Sequence, residues 1–188
     1  MINQEVNIQV VLYIANKLAK LGIELSETKL YKLLRFTSLW MADNKWDLIL
    51  QDVFIRKQFW PVPENISEYI GDLKISEGGK DDFIQITQEC KPWYGPWYTQ
   101  NTIVALQDYD EKYFTPNMKE ALDETIATYA PEKASTLSDM SHSKAWTKAD
   151  NRQLVDITED MENESFKELV KEQYEDTIYV LTKLKYAF

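Results

Sequence analysis

His142 is the only imidazole in the chain, and Asp139 lies three residues before it. On a helix that spacing puts the two side chains side by side, as a general base is paired with the carboxylate that orients it. A hydrolase built on them would also need a serine in a nucleophile-elbow sequence, and none of the serines has that context. The other use of such a histidine is to hold a turn together through hydrogen bonds. Cys90, the only thiol, has Lys91 as its one assured basic neighbour, too little to hold a thiolate. A zinc site would have to borrow carboxylates to complete its ligands. Glu120, Asp123 and Glu124 fall on the solvated face of a helix. Gly78-Gly79 lacks the lysine and strand-to-helix setting of a phosphate-cradling loop. These residues predict a chain that is not an enzyme and has no cofactor and no metal site.

The stretch KPWYGPWYTQ sets Trp93, Tyr94, Trp97 and Tyr98 around Gly95 and Pro96. Aromatic rings with polar tips are enriched at binding hot spots, so these four are candidate partner-binding residues. They could equally cap a local sheet. Bases can stack on such rings, but the flanks lack the lysines and arginines that hold a nucleic-acid backbone. Lys plus Arg total 21 against 31 Asp plus Glu, a net charge of −10. Such a surface repels a polyanion and attracts a basic protein, although acidity also serves solubility alone. No nucleic acid is expected as a partner of the chain on its own.

The elements that must position these groups are mostly helical. Ser26 to Met41 organises the rest: Leu30, Leu33, Leu34, Thr37, Trp40 and Met41 recur on one helical face, with Ser26 as N-cap. Phe36 and Leu39 widen the apolar surface, so this helix belongs at the centre of a domain. Residues 5–21 form an amphipathic helix ended by Gly22, predicted to pack antiparallel on the central one. Ile66, Tyr69, Ile70 and Leu73 mark a short helix after Pro61 and Pro63. Trp46 to Phe54 could be strand or helical turn. Phe83–Ile86 and Thr102–Leu106 have strand composition, giving a small antiparallel sheet within a β and aromatic insertion, 74–114. Thr115-Pro116 starts a helix that runs to Pro131. A short helix over Lys133–Ser141 and a long one from about Asn163 follow, with the acidic stretch Asp156–Glu164 as a candidate hinge between them. The fold class predicted is mainly α with a small antiparallel β element (α+β), 44% hydrophobic and able to bury a core. The unpaired cysteine suits a reducing cytoplasm. No leader sequence and no membrane span of about 18 apolar residues are evident, so a cytoplasmic protein with no membrane partner is expected.

Three stretches together resemble the Panacea domain, a bacterial and phage family that includes the SocA-like antitoxins. Leu30-Tyr31-Lys32-Leu33-Leu34-Arg35-Phe36 is similar to the family's leucine, any, lysine, leucine, leucine, tyrosine, phenylalanine pattern. Asp52-Val53-Phe54, running to Phe59-Trp60-Pro61-Val62, is similar to its aromatic-Gly-Pro-Val segment. Tyr129 through Leu137, Ser141-His142 and Trp146 are similar to a Tyr-Gly helix end followed by Thr-His, three residues and Trp. Arg35 stands where an aromatic is usual, Trp60 and Ala130 where glycines are, and Ala145 where a proline is. The resemblance covers roughly 8–150, a Panacea-like domain of residues 1–150, and leaves 151–188 as a C-terminal helical extension packed on it.

The resemblance implies a single compact helical domain without enzymatic activity. It would be an antitoxin that neutralises a cognate toxin by direct contact, with a bacterial protease as a further possible partner through an adaptor role. Its extra DNA-binding segment would have no room before Val6. A toxin bound by this chain is expected to be basic. The alternatives are a hydrolase using His142 and a phage-encoded protein that binds a host target without any toxin. The structural motif residues implied are Lys32, Leu33, Leu34, Phe36, Phe59, Pro61, Val62, His142 and Trp146. Lys32, Phe36, His142 and Trp146 are expected to form one knot, with His142 in a buried hydrogen bond and Trp146 in a pocket beside Phe36.

Overall fold

Ser26 does what its position before an apolar helix requires. In the computed structural model, which describes residues 4–58, 60–90 and 99–185, its hydroxyl accepts from the Lys29 N–H at 3.2 Å and starts helix α2 (Glu27–Lys45). Leu30, Leu33 and Leu34 are fully buried, and Lys29, Lys32, Arg35, Thr37, Ser38, Met41 and Ala42 are buried on the remaining sides. The Thr37 and Ser38 hydroxyls donate to the carbonyls of Leu33 and Leu34, so they enter the core without an unmet hydrogen bond. α2 is covered on most sides, with Phe36, Trp40 and Asn44 left along its more open stripe.

Helix α1 (Gln4–Lys20) ends at Gly22, whose φ of 69° is the left-handed conformation glycine adopts without a side-chain clash. Its residues share the core with those of α2, but the close helix pairing of α2 is with α4 (Pro116–Tyr129), not with α1 as its short connection suggests. The reason is a strand. Leu25 and Ser26 are drawn into main-chain pairing with a hairpin, which sets the two helices apart.

That hairpin joins β3 (Ile84–Cys90) to β4 (Thr99–Ala105), antiparallel with Ile86 opposite Ile103. A second small sheet pairs β1 (Phe54–Arg56) with β2 (Pro61–Pro63). Two prolines in a three-residue strand read as a break in sequence, yet neither interrupts pairing. Phe54 and Arg56 direct their main-chain groups to the opposite edge, where Val155 N donates to Phe54 O at 2.7 Å and Arg56 N donates to Gln153 O at 2.8 Å. Pro61 and Pro63 lie opposite Arg56 and Phe54, positions where no N–H is needed.

Helix α3 (Glu64–Ile75) follows β2 directly, and its N-cap position, Pro63, has no side-chain acceptor. Asp52 supplies one from outside the helix. Its carboxylate accepts from the main-chain N–H groups of Asn65 and Ile66, both at 3.0 Å, from Val53 N and from Asn65 Nδ2. Burial pushes this carboxyl above the usual range, against the pull of those four donors. α4 opens as its sequence dictates, with Thr115 Oγ1 accepting from Met118 N and Pro116 in the first turn.

Two short helices, α5 (Ala134–Met140) and α6 (Lys144–Lys148), lead to a 3-10 turn at Ile157–Asp160 and the last helix, α7 (Lys167–Lys185). The acidic stretch is not a hinge. Ile157, Thr158 and Met161 are buried, and Asp156 caps the turn by accepting from Thr158 N. α7 lays Val170, Tyr174 and Leu181 against Leu39, Ala42, Leu48, Val53 and Ile157. The Tyr174 hydroxyl donates to Val155 O at 3.0 Å and accepts from Phe54 N at 3.3 Å, tying α7 to the β1 sheet. The architecture is α+β: mostly helical, with two two-stranded antiparallel sheets among the described residues. No helix there is long and apolar enough to cross a membrane.

Candidate functional site

Lys32 is wholly buried in the middle of α2, and its amine needs a partner. It donates to Ser141 Oγ at 2.7 Å, across 109 residues, and the Ser141 hydroxyl donates in turn to Ser138 O at 2.8 Å. The half-buried Trp60 ring lies over the same ammonium, 4.8 Å from Nζ to the ring centroid. Burial, with the nearby Arg35 cation second, brings the Lys32 amine down to about 7. Trp60 occupies the place where the resemblance has glycine, and the side chain is used: it roofs a buried charge.

Lys32 thus meets the turn before His142 through Ser141, beneath Trp60, and not through the expected knot with Phe36, His142 and Trp146. His142 is exposed and stacks on the Trp146 ring, centroids 4.4 Å apart; Ser141 is the buried hydrogen-bonding neighbour. Nothing in the local sequence distinguishes Ser141 from the chain's other serines, because its partner amine lies 109 residues away. Phe36 stacks on Tyr129 at 4.4 Å rather than beside Trp146. Trp146 is held between His142 and the Arg56 guanidinium, which sits 4.3 Å from the ring centroid. Leu33, Leu34 and Val62 are core residues, and Pro61 is buried in β2. Phe59, Trp93, Tyr94, Trp97 and Tyr98 lie outside the described residues.

Arg35 stands where an aromatic is expected, and a buried cation there demands an anion. Asp160 provides it, pairing with Arg35 while also accepting from Ala145 N at 2.9 Å. Arg35 further lies over the Phe54 ring, 5.5 Å from its centroid. Ala130 needs no glycine, since its φ of −61° is ordinary helical backbone, and its carbonyl accepts from Lys29 Nζ at 2.7 Å. Among the solvated carboxylates, Glu120 pairs with Lys45, and Asp123 pairs with Lys17 while accepting from the Tyr13 hydroxyl.

A serine hydroxyl next to a lysine of lowered pKa is also the pairing of a Ser-Lys nucleophile. Here the serine is 3% exposed and its proton is committed to a carbonyl, so no substrate carbon can approach Oγ. The arrangement binds α5 to α2.

Above it lies an open cleft of about 740 Å³. Its walls are the Ile23–Lys29 segment, Trp60, the start of α5 from Lys133 to Ser138, and the first residues of β4, Thr99 to Asn101. Glu24 accepts from Gln100 Nε2 at 2.8 Å and from Thr102 Oγ1, while Glu27 accepts from Lys74, Asn101 and Tyr31. The acidic wall is thus engaged with its own protein. No group of His, Cys, Asp and Glu among the described residues could hold a metal ion. Compared with known proteins, the chain matches no family model, no curated protein and no solved structure.

Proposed function

We propose that the chain is an antitoxin-like protein-binding module, acting in the cytoplasm, that neutralises a toxin protein by direct contact and without catalysis. The observation that carries this reading is the meeting of the three stretches that resemble the Panacea domain. Lys32 from the first, Trp60 from the second and Ser141 from the third converge on one amine. Two of the departures from the pattern are accommodated, Arg35 by its ion pair with Asp160 and Ala130 in ordinary helical backbone. A net charge of −10 favours encounter with a basic partner.

The test is co-expression with the product of a small basic open reading frame beside the gene. That product alone should arrest growth, this chain should restore it, and the two should co-purify. Growth restored by this chain without any physical complex, or no rescue at all, would overturn the reading.

A further inference from the structure

α7 rests on a core of its own. The main apolar cluster, shared by α1, α2, α3, the hairpin and α4, contains no residue beyond Val155. Val170, Tyr174 and Leu181 instead close two small clusters with Leu39, Ala42, Leu48, Val53 and Ile157. The main core is therefore complete without α7. The opposite face of α7 is exposed and carries Glu168, Glu172 and Asp176 at i, i+4 spacing, where like charges repel. Such a helix draws its stability from tertiary packing, so α7 unwinds once it leaves its support.

What holds this segment is the last turn of α2. Asp43 Oδ1 accepts from the main-chain N–H groups of Glu162 and Asn163 at 2.9 and 3.2 Å, and Asn163 Nδ2 donates to Asp43 O at 3.3 Å. Trp46 ends α2 at a φ of 59°, left-handed backbone that a bulky residue rarely adopts. Its ring stacks on Phe166, centroids 4.1 Å apart, and its carbonyl accepts from Gln173 Nε2 at 3.1 Å. The strained residue is pinned by the very segment it clamps. Upstream, Asp160 is tied to Arg35, so the firmly anchored part of the chain ends there.

We propose that residues 161–185 form a strap that opens as one unit while the rest of the fold stays intact. Opening breaks the Asp43 and Trp46 contacts, lets Trp46 leave the left-handed region and uncovers the apolar strip of Leu39, Leu48 and Val53. The holding contacts run from Phe166 to Leu181, with the Tyr174 hydroxyl bonded to Phe54 N and Val155 O between them. The strap therefore leaves whole, as a cooperative unit of lower stability than the main core. This inference stands apart from the antitoxin reading, and neither depends on the other.

Native-state hydrogen exchange on the full chain, read by mass spectrometry at low urea, tests it. Peptides across α7 should share one protection factor, about tenfold or more below those of α2 and the hairpin, with a weaker urea dependence. Ile103→Val, a change in the main core, should speed exchange of α2 and the hairpin about fivefold and leave α7 unchanged. An α7 that opens only with the whole molecule would speed by the same factor, and that result overturns the proposal. Phe166→Ala destabilises the closed state against every open one, so it should speed all three regions together. Unchanged α7 exchange in that variant overturns the clamp. Protection that falls smoothly toward Lys185 is fraying from the end, and it too rejects a strap that opens whole. Should either variant fail to fold, the urea dependence of the wild type decides alone.

Discussion

Arg35 and Asp160 lie 125 residues apart in sequence and form an ion pair almost wholly removed from solvent, with side chains 3% and 5% exposed. The pair joins the central helix to the segment that lies outside the resemblance. Breaking one half leaves a charge buried without a partner. Asp160→Ala should therefore cost about 3–5 kcal/mol, read by urea unfolding. The double variant Arg35→Leu/Asp160→Ala should recover part of that loss. A single variant within about 1 kcal/mol of wild type would show the pair to be dispensable.

Lys32 gives stability a pH dependence of definite sign. Its folded value is about 7, against about 10.4 for an unfolded lysine. Between those values the unfolded chain holds a proton that the folded chain has released, so stability rises with pH, by up to about 1.4 kcal/mol per unit for this group. Below pH 7 its contribution is flat. The groups facing the amine are Ser141, Trp60 and Arg35. Unfolding free energies from pH 7 to 9 should climb in the wild type, and Lys32→Met should remove most of the slope.

Asp52 caps α3 from twelve residues before the helix's first residue, Glu64, and no residue of α3 itself replaces it. Asp52→Ala orphans main-chain donors at a buried helix start. The expected cost is about 2–4 kcal/mol, with Asp52→Asn losing less because one acceptor remains. Chemical denaturation measures both. Equal stability of Asp52→Ala and wild type would mean that solvent reaches those amides.

Trp146 is half-buried, and its indole N–H is buried without a hydrogen-bond partner. Phenylalanine keeps the ring between His142 and Arg56 and removes the unmet donor. Trp146→Phe should lie within about 1 kcal/mol of wild type, while Trp146→Ala loses the stack and cation contact for about 1–3 kcal/mol. Thermal unfolding of both distinguishes a packing role from one that needs the N–H, for which Phe would be as damaging as Ala.

Where sequence and structure agree, the cause is local. Ser26 and Thr115 accept from amides three residues on, Gly22 takes a left-handed conformation, and Ile84, Ile86 and Ile103 mark the hairpin. Where they diverge, a distant group has decided. Pro61 and Pro63 sit in a strand because β1 directs its hydrogen bonds to 152–155. The acidic stretch is fixed because Arg35 needs Asp160. Ser141 outranks His142 because the Lys32 amine reaches that hydroxyl.

The sequence by itself determined the longer helices, the caps at Ser26 and Thr115, the hairpin and the centrality of α2, since each depends on side-chain spacing and on contacts within a turn or two. Only the tertiary structure decided which polar groups are buried together, which helix α2 embraces, and that the N-terminal amides of α3 are capped by Asp52. A buried charge or an unpaired amide is defined by what approaches it in space, and residues as much as 125 positions away do the approaching.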